Sequence, residues 1–180
     1  MADIVQWLKN YLQNDVVGSV DITERKWCNG DYKYITRQYD NNKNPEIARL
    51  LGDMNSDGLG VEKSTETAIE FYKIAIETKD PIAMNNLGYL YNELNDKEKA
   101  IDYCMMAIMN KYSLSLTNLL RLYNEQNETQ NMIKLCVFWY DTHKTVKPIL
   151  KYCNENPGFF REFMKTFSKL CEINGGIDDI

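Results

Sequence analysis

The chain is 180 residues long, 44% hydrophobic and 26% charged, with a formal net charge of −5. That balance is the composition of a soluble globular domain burying roughly 70% of its unfolded surface, and the negative charge speaks against a phosphate backbone as partner. No apolar run approaches the roughly 18 residues of a membrane span. The start MADIVQWLKNYLQN lacks the basic-then-apolar order of a signal peptide, so the sequence predicts an intracellular, cytoplasmic protein that meets neither membrane nor nucleic acid.

Residues 3–13 predict a short amphipathic helix with Ile4, Val5, Leu8 and Leu12 on one side. Further on, Asp21-Ile22-Thr23-Glu24 has the form of a capping box, and Asn29-Gly30-Asp31 reads as punctuation. The next segment, YKYITRQY, fits a helix or an alternating strand; helix is preferred because a lone strand has no partner. The first 44 residues are expected to cap the open apolar end of the helical hairpins beyond them.

The stretch from Pro81 to Ala107 carries the clearest signals. Asp80 is placed to cap a helix opened by Pro81, with an apolar stripe at Ala83, Leu87, Leu90, Tyr91 and Leu94. Asn95 and Glu98 form a capping-box start for a second helix that buries Ala100, Ile101, Tyr103, Cys104 and Ala107. Gly88 and Ala100 let the two helices approach as an antiparallel hairpin. Such a hairpin cannot bury both faces alone, and the sequence repeats it. Upstream, Leu51-Gly52 stands 36 residues before Leu87-Gly88, while Ala68 and Ala75 stand 32 before Ala100 and Ala107, so four extra residues fall in the loop around Gly58-Leu59-Gly60-Val61. Downstream, Leu119 and Tyr123 continue the period of 32, but Leu120 replaces the glycine and Met132 and Trp139 replace the alanines. This third unit is expected to pack at a wider spacing or to finish the regular array. After it, Lys147-Pro148 restarts a helix. Asn156-Pro157 opens another, with Phe159, Phe160, Phe163, Met164, Phe167, Leu170 and Cys171 on its apolar side and Gly175-Gly176 at its end. That apolar band is a closing cap, or else a partner or dimer surface.

The 81–107 unit resembles a tetratricopeptide repeat, and the preceding unit, with GLGVEKS before TAIEFYKIA, resembles the related Sel1-like repeat; together the likeness covers 45–142. The resemblance implies an all-α fold: a right-handed α-α superhelix, a short solenoid of antiparallel helical hairpins with helical caps at both ends. Within a single domain 1–180 it implies an N-terminal cap at 1–44, repeats at 45–79 and 80–111, a degenerate repeat at 112–142 and a C-terminal cap at 143–180. It further implies a non-enzymatic interaction module or adaptor, monomeric or weakly dimeric, that holds a peptide or protein along a concave groove. The implied liners are Glu46, Arg49 and Asp53, then Ile82, Asn85, Tyr89, Asn92 and Glu93, then Leu114, Thr117, Arg121 and Asn124. One departure is Asn55, where the family usually has an aromatic, which predicts a less tightly packed first unit. Asp53, Leu114 and Asn118 depart from the pattern that holds a terminal carboxylate in the chaperone-tail subtype. The alternatives are a hydrolase or cell-wall-compound-binding Sel1-like protein, and an RNA-binding helical repeat.

No cofactor, metal or catalytic residue is expected. Cys28, Cys104, Cys136, Cys153 and Cys171 are odd in number and form no Cys-x-x-Cys pair, so they read as inert thiols rather than a disulfide framework or zinc site. Asp53-Met54-Asn55-Ser56-Asp57-Gly58 begins like a calcium loop, but its twelfth position is Ser64 instead of a bidentate Glu. His143 is the single histidine and is expected to meet the last carbonyls of a helix. Glu62, Glu66, Glu70 and Glu77 sit at solvated spacings, and no pair of carboxylates is expected in an apolar frame that would raise the pKa of one.

Overall fold

The computed structural model describes residues 2–13, 25–161 and 163–165. Among them every regular element is helical: α1 (Ala2–Gln13), α2 (Asn29–Asn42), α3 (Pro45–Asp57), α4 (Thr65–Ala75) continued by a 3₁₀ turn (Ile76–Thr78), α5 (Pro81–Glu93), α6 (Lys97–Met109), α7 (Ser113–Glu125), α8 (Thr129–His143) and α9 (Lys147–Glu155). Residues 157–161 and 163–165 are helical as well. The chain forms two compact units, Met1–Tyr103 and Cys104–Ile180, so α6 contributes to both. The predicted capping box at Asp21–Glu24, the apolar residues Phe167, Leu170 and Cys171, and the closing Gly175-Gly176 lie outside the described residues.

The starts of α3 and α5 arise from side chains that satisfy the first free N–H groups. Asn44 accepts from the Glu46 and Ile47 amides at 2.7 and 3.4 Å, and Asp80 from those of Ile82 and Ala83 at 2.8 and 3.2 Å, each ahead of a proline. The second helix of the central hairpin starts differently from expectation. Asn95 takes a left-handed conformation (φ 60°) to close α5, and Asp96 caps α6 by accepting from the Lys99 amide at 3.2 Å. Leu94 is thereby carried off the buried stripe and is 53% exposed. Asn29-Gly30-Asp31 also proves to be the first turn of α2 rather than a break: the Asp31 carboxylate accepts from the Cys28 amide at 3.1 Å, and YKYITRQY is helical.

Left-handed residues recur with the helices. Turns between a repeat's two helices use Gly58, Asn95 and Asn127, and turns after its second helix use Lys79, Lys111 and Lys144, with Lys43 in the same role after α2. Asparagine and glycine tolerate this conformation most readily; a lysine there places its charge beside the free carbonyls that end a helix.

In unit Met1–Tyr103, Ile4 and Leu8 of α1, Ile35 of α2, and Ile47, Leu50, Leu51 and Met54 of α3 share one core. Helix α3 packs against both α2 and α4, and α4 against α5. Gly52 is the close-approach point: a Cβ there would stand 2.6 Å from two ring carbons of Tyr72 on α4. The expected loose packing around Asn55 is corrected. Asn55 is 2% exposed and donates to Leu51 O at 2.7 Å and to Tyr32 Oη at 3.1 Å, so an aromatic side chain is supplied from α2 instead of from the repeat itself.

In unit Cys104–Ile180, α7 packs on α8 and on α9. Its interior holds Leu116, Leu119, Leu120, Met132, Cys136, Trp139, Ile149, Tyr152 and Cys153, and Phe159 and Phe163 join it. Phe160 and Met164, expected on the same apolar side, are 41% and 45% exposed.

Candidate functional site

The implied groove residues divide sharply by burial. Arg49 and Asp53 on α3, Asn85 on α5 and Thr117 on α7 are buried; Tyr89 and Glu93 on α5 and Arg121 and Asn124 on α7 are exposed, and Asn92 is half-buried. The reason is geometric for α5: Tyr89 and Tyr91 lie about 200° apart on the helix, so burying Tyr91 (9% exposed) turns Tyr89 (55% exposed) outward. Tyr89 Oη donates to Glu93 Oε1 at 2.9 Å, one turn along the same face.

On α3 the corresponding face is already occupied. Ten successive residues, Ile47–Ser56, are buried, and the Tyr11 ring of α1 lies 5.4 Å from the Arg49 guanidinium. Polar side chains enclosed this way must find partners inside the protein. Arg49 Nη1 is 3.4 Å from Asp53 Oδ2 and its Nε 2.9 Å from Asp80 Oδ2. Asp53 Oδ1 accepts from Tyr72 Oη at 2.7 Å and from Asn86 Nδ2 at 2.9 Å, while Asn85 donates to Asn86 Oδ1 at 3.3 Å. Burial pushes the Asp53 carboxyl up to about 6, against the Arg49 charge and the two hydrogen bonds that favour the carboxylate. Burial and the neighbouring Asp53 raise the Tyr72 hydroxyl as well, so Tyr72 remains a donor. Sequence reasoning, which considered only carboxylate pairs in an apolar frame, missed the burial of this single carboxylate. Its sequence signal was the i, i+4 pair Arg49 and Asp53 amid Leu50, Leu51 and Met54. Glu62, Glu66, Glu70 and Glu77 are exposed.

The other chemistry-bearing residues are occupied structurally. Burial pushes the Cys104 thiol up to about 11 and raises Cys136 and Cys153, which keeps all three protonated and unreactive. His143 Nε2 donates to Ile108 O at 2.8 Å: it meets a carbonyl at the end of α6, not of its own helix. Among the described residues no group of three His, Cys, Asp or Glu side chains is placed to hold a metal, and no helix is long and apolar enough to cross a membrane.

No protein-family model and no curated protein matches the sequence. Among solved structures the chain is similar to the crystal structure of a Sel1 repeat protein from Oxalobacter formigenes, with a TM-score of 0.55 and 20% identity, covering 94% of this chain and 74% of that one. The helical order, the repeated caps and turns, and this likeness agree: the chain has an all-α repeat fold similar to that of a Sel1 repeat protein.

Proposed function

We propose that the protein is a non-catalytic adaptor that holds a peptide or protein partner on the outward faces of its repeats' first helices. The observation that carries this is α5, whose buried stripe leaves Tyr89 outward beside Asn92 and Glu93. Tyrosine offers a large, stiff contact surface, and asparagine and glutamate supply hydrogen-bond donors and acceptors for a backbone. On α7, Arg121 and Asn124 present a cation and an amide in the same way, suited to a carboxylate-bearing segment. The seating of α1 on the equivalent face of α3 supports the idea that this face accepts a chain segment carrying aromatic and apolar groups.

The test uses a Tyr89→Ala, Asn92→Ala, Glu93→Ala variant. Asn85 is left intact because it is buried and its loss would confuse binding with folding. A photo-crosslinking residue at position 92 of the full chain identifies the partner in source cells, and the purified partner is then titrated against both proteins. The variant should melt like the wild type yet bind at least about tenfold more weakly, since truncating a central tyrosine costs more than about 1.4 kcal/mol. Equal affinity with equal melting would place the binding surface elsewhere.

A further inference from the structure

Charge is unevenly divided along this acidic chain. Residues 1–103 hold twelve basic and eighteen acidic side chains, whereas 104–180 hold nine and eight. Within the second unit three of the nine basic side chains line a hollow of about 440 Å³ at the end of α8 and the starts of α7 and α9. Lys111, Lys144 and Lys147 line it together with Ser113, Trp139 and His143, and among the described residues its lining includes no carboxylate. Its size falls within the roughly 300–1,000 Å³ typical of small-ligand sites.

Three independent features call for negative charge there. First, Lys111 and Lys144 both occupy left-handed turns (φ 65° and 50°), and their amides donate to Ile108 O at 2.9 Å and to Tyr140 O at 2.8 Å. The turns therefore fix where both lysines leave the backbone. Lys144 has an acidic neighbour, Asp141 at 3.9 Å, in an exposed pair of little strength. Second, α7 begins at Ser113 and α9 at Lys147 with neither a side-chain cap nor an acidic residue in the first turn. Lys147 thus puts a cation at the positive end of a helix, an arrangement that an anion in the hollow would relieve. Third, Trp139 is 2% exposed, yet its indole N–H finds no acceptor among the described residues. The His143 ring, whose centroid lies 4.3 Å from that of Trp139, already donates through Nε2 to Ile108 O. An oxygen-rich ligand in the hollow that Trp139 lines would offer the acceptor that its indole N–H lacks.

We propose that this hollow binds a small phosphate-bearing anion, with Lys111, Lys144 and Lys147 neutralising its charge, Ser113 and the α7 start donating hydrogen bonds, and Trp139 contributing its indole N–H. A phosphate group matches this set because it offers several strong acceptor oxygens and about two negative charges.

The experiment tracks the Trp139 indole N–H resonance of the full chain, assigned by triple-resonance spectra, while sodium phosphate or glycerol 2-phosphate is added against sodium chloride of equal ionic strength. The same titrations are run on Lys111→Gln, Lys147→Gln, a double variant at two exposed positions that should leave folding intact. The expected result is a saturable shift with phosphate or its ester but not with chloride, and binding at least about tenfold weaker in the double variant. Tighter binding of glycerol 2-phosphate would mark the ligand as a phosphomonoester, and tighter inorganic phosphate would mark the free ion. A linear response equal to that of chloride, or saturable binding unchanged in the double variant, would overturn the proposal.

Discussion

The hairpins α3/α4 and α7/α8 occupy equivalent places in the repeat, yet they fill their interiors by opposite means. In α3/α4 the first helix offers Gly52 and the second supplies bulk, the Tyr72 ring over that glycine. The repeat register puts Leu120 at the place of Gly52 and Cys136 at the place of Tyr72, and both are buried. The bulk has changed helices. The consequence is chemical as well as steric: a buried tyrosine brings a hydroxyl that needs a partner, and Asp53, Asn86 and Arg49 assemble around it. A leucine and a cysteine make no such demand, and the polar cluster has no counterpart at those two positions. Volume exchanged between facing positions leaves the repeat intact but decides whether its interior is polar.

The largest expected effect comes from breaking the first hairpin's arrangement directly. Tyr72→Ala empties the space over Gly52 and removes a donor from buried Asp53, and should lower the unfolding free energy by about 3–5 kcal/mol. Cys136→Ala, the equivalent truncation in α7/α8, should cost only about 1 kcal/mol. Urea denaturation of both variants checks the contrast, and equal losses would erase it.

The next effect is pH dependence. With its folded pKa raised from 3.8 to about 6, Asp53 keeps a proton in the folded state that the unfolded chain has already released. Its contribution to stability is therefore full below about pH 4 and is lost as pH rises through 6, a change of about 3 kcal/mol at most. Asp53→Asn should flatten the pH profile of the unfolding free energy between pH 4 and 6; a slope that persists would assign the titration to another group.

A smaller effect sharpens the size exchange. Gly52→Ala drives a methyl into the Tyr72 ring and should cost about 1–3 kcal/mol as overpacking. Adding Tyr72→Cys, the residue that stands at the equivalent place in α7/α8, should make the Gly52→Ala step cheaper by about 0.5–2 kcal/mol in a double-mutant cycle. Strict additivity would show that the ring and the glycine do not compete for the same space.

Local chemistry made much of the fold legible in the residues. Asn44-Pro45 and Asp80-Pro81 had to start helices, because each pairs a side-chain acceptor for free amides with a residue that loses nothing at N1. The recurrence of Leu51-Gly52 at Leu87-Gly88 and of paired alanines 32 residues on announced hairpins of one kind. Those signals act within a turn or two of helix, so they survive in any surroundings. Asn95 was misjudged because two signals compete within three residues: a capping box and a left-handed turn both suit asparagine, and Asp96 was free to take over the cap.

What lies beyond one helix was decided by tertiary structure. The 3.6-residue period locates the apolar side of α3 but does not say that α1 covers the polar side too. Arg49 and Asp53 read as groove residues until Tyr11 is placed over them. Asn55 reads as a packing defect until Tyr32 arrives from α2. The hollow beside Trp139 joins residues from 111 to 148, so its basic character is spread thinly along the chain and becomes concentrated only when α7, α8 and α9 meet. The sequence by itself determined which segments are helical and that they repeat, because capping and periodicity are short-range physics. Which polar faces are buried, and which stay open to a partner, depended on contacts between residues far apart in the chain, for which a single sequence carries no local signature.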